Sequence, residues 1–380
     1  MEIPLSYDVL RVIWWALLGV LLIGFAITDG FDLGVAGLLP VVARTDTERR
    51  VAINTVGPTW EGNQVWLILG GGAIFAAWPL VYAVSFSAFY LAMFVVLAAL
   101  ILRPVGFKYR SKRQDPRWRG FWDWALCVGG FVPALIFGVA VGNMLVGAPF
   151  RLDQTLRIFW EGSFIGLLNP FALLCGLLSV SMLFLHGAAW LSMKAEHGPV
   201  RDRARRLAPV FAISSMALFA GGGLWVGLGD FGYVAGAVDV TGPSNPLLTE
   251  TVRQGGAWLN NYANHPWMVV APVAGFAGAT LALVGLRSGG EALTFLGSKL
   301  SVIGIIATVG VSTFPFILPS SIDPSSSLTV WNSSSSHSTL FTMLIVTVIL
   351  LPIVMAYTAW AFKVMWGRVT TEQVQSGDMY

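Results

Sequence analysis

The seven residues AAWPLVY, Ala76–Tyr82, interrupt a run of 42 residues from Glu61 to Leu102 in which Glu61 is the only charged side chain. As one helix that run would be about 63 Å long at 1.5 Å per residue, twice the ~30 Å of hydrocarbon in a bilayer. Proline removes a helix hydrogen bond and drives the residue before it out of helical geometry, so Trp78–Pro79 reads as a tight turn between two spans. Division there gives nine spans, near residues 9–42, 61–79, 80–102, 122–146, 163–192, 207–229, 266–286, 297–319 and 340–362.

The composition agrees with a chain of this kind. Of 380 residues, 56% are hydrophobic and 11% charged, and the mean hydropathy is +0.71. Soluble domains carry about 25% charged residues, so this is an integral membrane protein. The apolar runs do not alternate as barrel strands would, and the fold class is all-α. The first run lacks a basic leader and continues for more than 30 residues, so it reads as a span and not as a cleavable signal peptide. Cys127 and Cys175 both fall within spans, where buried free thiols are expected in place of a disulfide or a thiolate metal site.

Charge tests the span count independently. The connections Ala43–Arg50, Arg103–Arg119 and Lys194–Arg206, the segment Arg287–Lys299 and the tail Lys363–Arg368 hold 19 of the 23 lysines and arginines. With a turn at Pro79 all five fall on one side, which the positive-inside rule makes the cytoplasm. The N-terminus is then periplasmic and the C-terminus cytoplasmic. The opposite connections are poorer in charge and richer in turn formers, as in GPSNP (Gly242–Pro246) and SSSLTVWNSSSSHS (Ser325–Ser338). The NSS at Asn332 reads as a chance sequon in a loop. The basic Arg103–Arg119 connection is explained by topology and anionic headgroups, not by nucleic acid. No GxGxxG or GK[ST] element precedes a helix in a soluble segment, which disfavours a nucleotide-driven pump.

Inside the membrane, LIGFAITDGFDLG (Leu22–Gly34) places Asp29 and Asp32 three residues apart, on one face of the first span. The second span opens with GPTWEGNQVW (Gly57–Trp66), so Glu61, Asn63 and Gln64 are expected at the same depth. No lysine or arginine lies within either stretch, and without a fixed cation these acids are expected to be protonated or linked to water. That is proton-handling chemistry. His186 is the histidine placed well inside a span, and a packing role suits it better than haem ligation. Acids in Gly-rich helices also suit a proton-coupled secondary transporter, which is the alternative reading.

Longer patterns decide between them. VLRVIWWALLGVLLIGFAITDGFDLG (Val9–Gly34), DTERRVAINTVGPTWEGNQVWLILGGGAIFAAWPLVYA (Asp46–Ala83), RPVGFKYRSK (Arg103–Lys112), GNMLVGAPF (Gly142–Phe150), LLNPFALLCGLLSV (Leu167–Val180) and TFPFILPSS (Thr313–Ser321) resemble subunit II of the cytochrome bd-type quinol oxidases. The resemblance runs from the first span to YTAW (Tyr357–Trp360) and the GR at Gly367–Arg368.

It implies a haem-free subunit of a bacterial inner-membrane terminal oxidase that couples quinol oxidation to reduction of oxygen to water. Two haems b and one haem d are expected in the partner, subunit I, with the quinol-oxidising loop. The implied layout is two four-helix bundles plus a peripheral helix: a first bundle at about 1–146, a second bundle with the peripheral helix at about 147–366, and a cytoplasmic tail at 367–380. Expected partners are subunit I, membrane lipids, quinol reached through the complex and, as an option, a single-span small subunit. A bound quinone or lipid occurs in relatives, and no residue set here decides its presence. The family's proton route from the cytoplasm maps onto Asp29 and Glu61, with Asp32, Asn63 and Gln64 as supporting polar groups. Some relatives carry Asp in place of Glu61.

Overall fold

In a computed structural model of the chain, residues 3–376 are described, so the last four residues of the expected tail lie outside them. The long helix α1 (Tyr7–Val42) is followed by the amphipathic α2 (Asp46–Asn54). A capping box starts α2: Thr45 Oγ1 accepts from Glu48 N at 3.2 Å, and Glu48 Oε2 accepts from Thr45 N at 3.3 Å. Burial acts to raise the Glu48 pKa, but bonds from Arg203 and from the Arg44 and Thr45 backbone outweigh it and hold the carboxyl below its usual range.

α3 (Trp60–Ala77) stops at Trp78, whose φ/ψ of −135°/72° is not helical, and α4 (Pro79–Ala88) begins on the proline. With small offsets at Phe89 and Ile101, α4 continues through α5 (Tyr90–Leu100) and α6 (Leu102–Tyr109). Lys108 Nζ meets Glu61 Oε1 at 3.0 Å, so the end of α6 returns to the start of α3 and the two arms form a hairpin. The proline turn therefore lies where the sequence puts it.

α7 (Pro116–Val146), α8 (Pro170–Lys194) and α9 (Pro199–Leu228) each begin on proline, whose missing N–H falls where a helix has no use for it. Asp115 and Asn169 cap α7 and α8 by accepting from Arg117 N and Ala172 N, each at 2.9 Å. Then follow α10 (Asn260–Asn264), α11 (Val270–Ser288), α12 (Glu291–Thr313), α13 (His337–Val364) and α14 (Thr371–Ser376).

Among the described residues eight helical segments are long and apolar enough by length and composition to cross a membrane, against the nine expected. The segment that falls short is α3, because Glu61, Asn63 and Gln64 occupy its first turns. Of these, Asn63 is buried and faces α1, while Glu61 is exposed. The span expected at 297–319 occupies 291–313, so Lys299, expected near the start of its span, lies six residues deeper in the helix.

α8 is the centre of the molecule. Every residue from Ser179 to Ser192 is buried, as expected of a helix packed on all sides, and α1, α7, α9 and α12 surround it. α1 and α8 cross backbone to backbone at Gly34 and Gly187, where a Cβ on Gly187 would stand 2.6 Å from the Gly34 carbonyl carbon. Small residues allow this approach where no hydrophobic force drives helices together. α13 is peripheral, with Leu340 its only buried residue.

At the end that holds the Pro79 turn, the connections form three two-stranded hairpins: β1 (Phe150–Leu152) with β2 (Ile158–Trp160), β3 (Tyr233–Ala235) with β4 (Thr251–Arg253), and β5 (Phe316–Leu318) with β6 (Leu328–Thr329). Buried Arg11 ties this end together: its guanidinium donates to Ser334 Oγ at 2.8 Å, to the Val240 and Gly242 carbonyls at 2.6 and 3.0 Å, and to Ser244 Oγ at 3.0 Å. Asn332 is 2% exposed, donating to the Ser327 carbonyl and accepting from Thr329 N, so the sequon asparagine is a loop-forming residue.

The opposite end is held by ion pairs. Buried Asp123 joins Arg110 at 2.5 Å and Arg49 at 2.7 Å, Asp46 joins Arg110 and Arg119, and Glu291 joins Arg201 and Arg368.

Candidate proton-handling site

Asp29 and Asp32 are both 0% exposed, on the face of α1 turned toward α3 and the α5–α6 arm. Arg103, also 0% exposed, forms a two-pronged pair with Asp29, Nη1 to Oδ2 at 2.9 Å and Nη2 to Oδ1 at 2.5 Å. The expectation of acids without a fixed cation is thus corrected. Helix continues past Leu102 to Tyr109, so Arg103, expected in a connection, reaches back into the membrane-spanning core. Proline is tolerated in a first helical turn, which is why RPVGF did not end the helix.

Asp32 is held differently. Its Oδ2 accepts from Asn63 Nδ2 at 2.8 Å, and its Oδ1 has no hydrogen-bond partner among the described residues. Two further buried polar atoms nearby lack a partner, Arg103 Nε and Trp60 Nε1, and the Trp60 ring centroid lies 5.9 Å from the Arg103 guanidinium. Buried polar atoms in native proteins are nearly always paired, commonly by ordered water. One cation faces two carboxylates here, so a single negative charge is left over when all three groups are ionised.

The structure brings Asp29, Asp32 and Asn63 together, adds Arg103 and Trp60, and leaves Glu61 and Gln64 out. Glu61 is 62% exposed and paired with Lys108. Glu61 and Asn63 are two residues apart, about 200° around a helix, so when Asn63 faces Asp32 Glu61 must face away. Gln64 is half-buried and makes no hydrogen bond to either aspartate.

His186 is spoken for at both ring nitrogens, by Ser298 Oγ at 2.8 Å and the Ile27 carbonyl at 3.1 Å, and it stacks on Phe295. Cys127 and Cys175 are free thiols, half-buried where full burial was expected.

This fold and site define a class: a multi-pass helical membrane protein with a charged cluster sealed between its first helices. The profile of one family, cytochrome bd terminal oxidase subunit II, matches residues 10–365. Cytochrome bd-I ubiquinol oxidase subunit 2 of Escherichia coli K12 is 49% identical over 372 residues, covering 98% of each chain. Cytochrome bd ubiquinol oxidase subunit 2 of Bacillus subtilis is 30% identical over 96% of this chain and 98% of its own. A chain in the structure of bd oxidase from Geobacillus thermodenitrificans superposes with a TM-score of 0.70 at 15% identity, covering 94% of this chain and 98% of its own, and so shares the fold. The chain belongs to the cytochrome bd terminal oxidase subunit II family. It is a membrane subunit of a terminal oxidase complex, and the transporter reading falls away.

Proposed function

We propose that this chain is the haem-free subunit of a ubiquinol-oxidising complex and carries protons from the cytoplasmic side toward the haems of subunit I. The observation that carries the reading is the sealed Asp29–Arg103–Asp32–Asn63 cluster with its unpartnered polar atoms. Arg103 neutralises Asp29, and Asp32 is the acid left to take up and release a proton. Glu61, exposed beside Lys108 at the start of α3, is the entry group. Water paired to Asp32 Oδ1, Arg103 Nε and Trp60 Nε1 bridges the remaining gap. Relative to the sequence reading, Asp32 moves from a supporting to a central role and Asp29 becomes the group that fixes Arg103.

His186 supports the haem-free assignment, because both nitrogens that could ligate iron are held by protein. Subunit I docks on the outer face of α3, where Gly62 and Gly72 leave open space beside exposed Val65, Ile68 and Phe75. Close helix approach suits a helix too polar to face lipid alone. A first bundle at about 1–146 and a second at about 147–366 remain our division of the chain.

Asp32→Asn and Glu61→Gln in the intact complex test the relay. Quinol-supported oxygen consumption is expected to fall on the order of a hundredfold at unchanged haem content, the scale set by losing a positioned proton-transfer group. Glu61→Asp should retain most activity. Full activity of both amide variants where proton delivery limits turnover overturns the relay.

The basic end of the molecule is assigned to the cytoplasm, since most of the 23 lysines and arginines lie toward the side away from the Pro79 turn. A reporter fused to the C-terminus is expected to be active only as a cytoplasmic fusion. A periplasmic signal reverses the orientation.

A further inference from the structure

α6 runs antiparallel to α7, and three close contacts set its register. A Cβ on Gly129 of α7 would stand 3.0 Å from Arg103 Cγ, and one on Gly106 of α6 would stand 2.7 Å from Leu126 Cγ. Just past the end of α6, Arg110 donates from Nε to Asp123 Oδ1 at 2.5 Å. Positions 103, 106 and 110 therefore face 129, 126 and 123 in order. Arg103 and Arg110 are about two helical turns apart and leave α6 on nearly the same face. One reaches Asp29 on α1, and the other reaches Asp123 on α7. Both members of the Arg110–Asp123 pair are buried, and α2 braces it, with Arg49 Nη1 on Asp123 Oδ2 at 2.7 Å and Asp46 Oδ1 accepting from Arg110 Nη2 at 2.9 Å.

We propose that Arg110, Asp123 and Gly129 are positioning residues, which fix where the Arg103 guanidinium stands between Asp29 and Asp32. Their effect on turnover rests on the relay reading above. α6 is only eight residues long, and without an anchor at its far end it is free to slide along α7. The Arg110–Asp123 pair supplies that anchor, and the notch at Gly129 holds the Arg103 stem against the α7 backbone. Arg103 is the one cation facing both carboxylates, and charge interactions in a poorly solvated interior change steeply with distance. A small shift of α6 thus alters how readily Asp32 exchanges its proton.

The test uses the intact complex. Arg110→Lys keeps the charge but shortens the reach and loses the fork, and Asp123→Glu lengthens the acid by one methylene. Each is expected to lower quinol-supported oxygen consumption per haem roughly tenfold at unchanged KM for quinol, since misplacement by an ångström can cost up to about a hundredfold. Arg110→Lys/Asp123→Glu restores the span and should recover most of the loss. Gly129→Ala displaces the Arg103 stem with every charge kept, and it carries the test if a charge variant fails to assemble. In an Asp32→Asn background none of these changes should lower turnover further, because groups that act through one residue are not additive. Electron cryo-microscopy of the Arg110→Lys and Gly129→Ala complexes should show Arg103 moved and its two-pronged bond to Asp29 opened. Arg103 unmoved in both, or the same fold-loss repeated in the Asp32→Asn background, overturns the proposal. Arg103 moved with turnover undiminished overturns the relay instead and leaves the positioning standing.

Discussion

Arg103→Gln is expected to remove most of the assembled complex. Arg103 and Asp29 are both fully buried and paired through two bonds, so deleting the guanidinium strands a carboxylate in a medium that cannot solvate it. Breaking a buried pair from one side typically costs about 3–5 kcal/mol, against a total stability of about 5–15 kcal/mol. Asp29→Asn strands the guanidinium instead and should also assemble poorly. The double variant Asp29→Asn/Arg103→Gln carries neither charge and should recover much of the loss, because the two residues act as a unit. The yield of complex with native haem absorbance and its thermal inactivation midpoint measure this. A double variant no better than Arg103→Gln alone refutes the pairing as the source of the loss. Turnover per assembled complex then reports separately on proton delivery.

Gly187→Leu should be as damaging, for a steric reason. Its Cβ would already press on the Gly34 backbone, and a backbone cannot yield as a side-chain tip can. Overpacking a core costs about 1–3 kcal/mol when side chains can adjust, and more is expected at a helix crossing with no slack. Gly187→Ala should give a partial loss. Gly120→Ala is the control: no atom lies near its added Cβ, and replacing glycine inside a helix is worth roughly 0.5–1 kcal/mol in stability. Measured by recovery of haem-bearing complex, equal yields for Gly187→Leu and Gly120→Ala refute the tight crossing.

Much of the architecture was legible because it rests on local rules. The proline at position 79, the apolar runs and the gathering of basic residues at one end required no knowledge of neighbours. The site was half legible. Asp29 and Asp32 stood out as acids in an apolar run, and Asn63 was placed at their depth. Arg103 was missed because sequence alone suggested that its helix ended at the leucine before it. An arginine one residue beyond an apolar run, followed by proline and then five helical residues, is the signal that could have found it. Glu61 was misplaced because depth was read and azimuth was not. Lys299 was placed too near the start of its span for a related reason, since six residues of helix precede the expected start.

Arg11 has a consequence for the order in which the chain is made. Its partners Val240, Gly242, Ser244 and Ser334 lie 229 to 323 residues downstream, so none exists when the first helix leaves the ribosome. The guanidinium therefore enters the translocation machinery solvated and becomes enclosed only after the last long loop has arrived. Completion of the cap at the Pro79 end is in effect a check that synthesis has run through Ser334, and a chain truncated before the loop from Asp230 to His265 leaves the Arg11 guanidinium without any of these four partners.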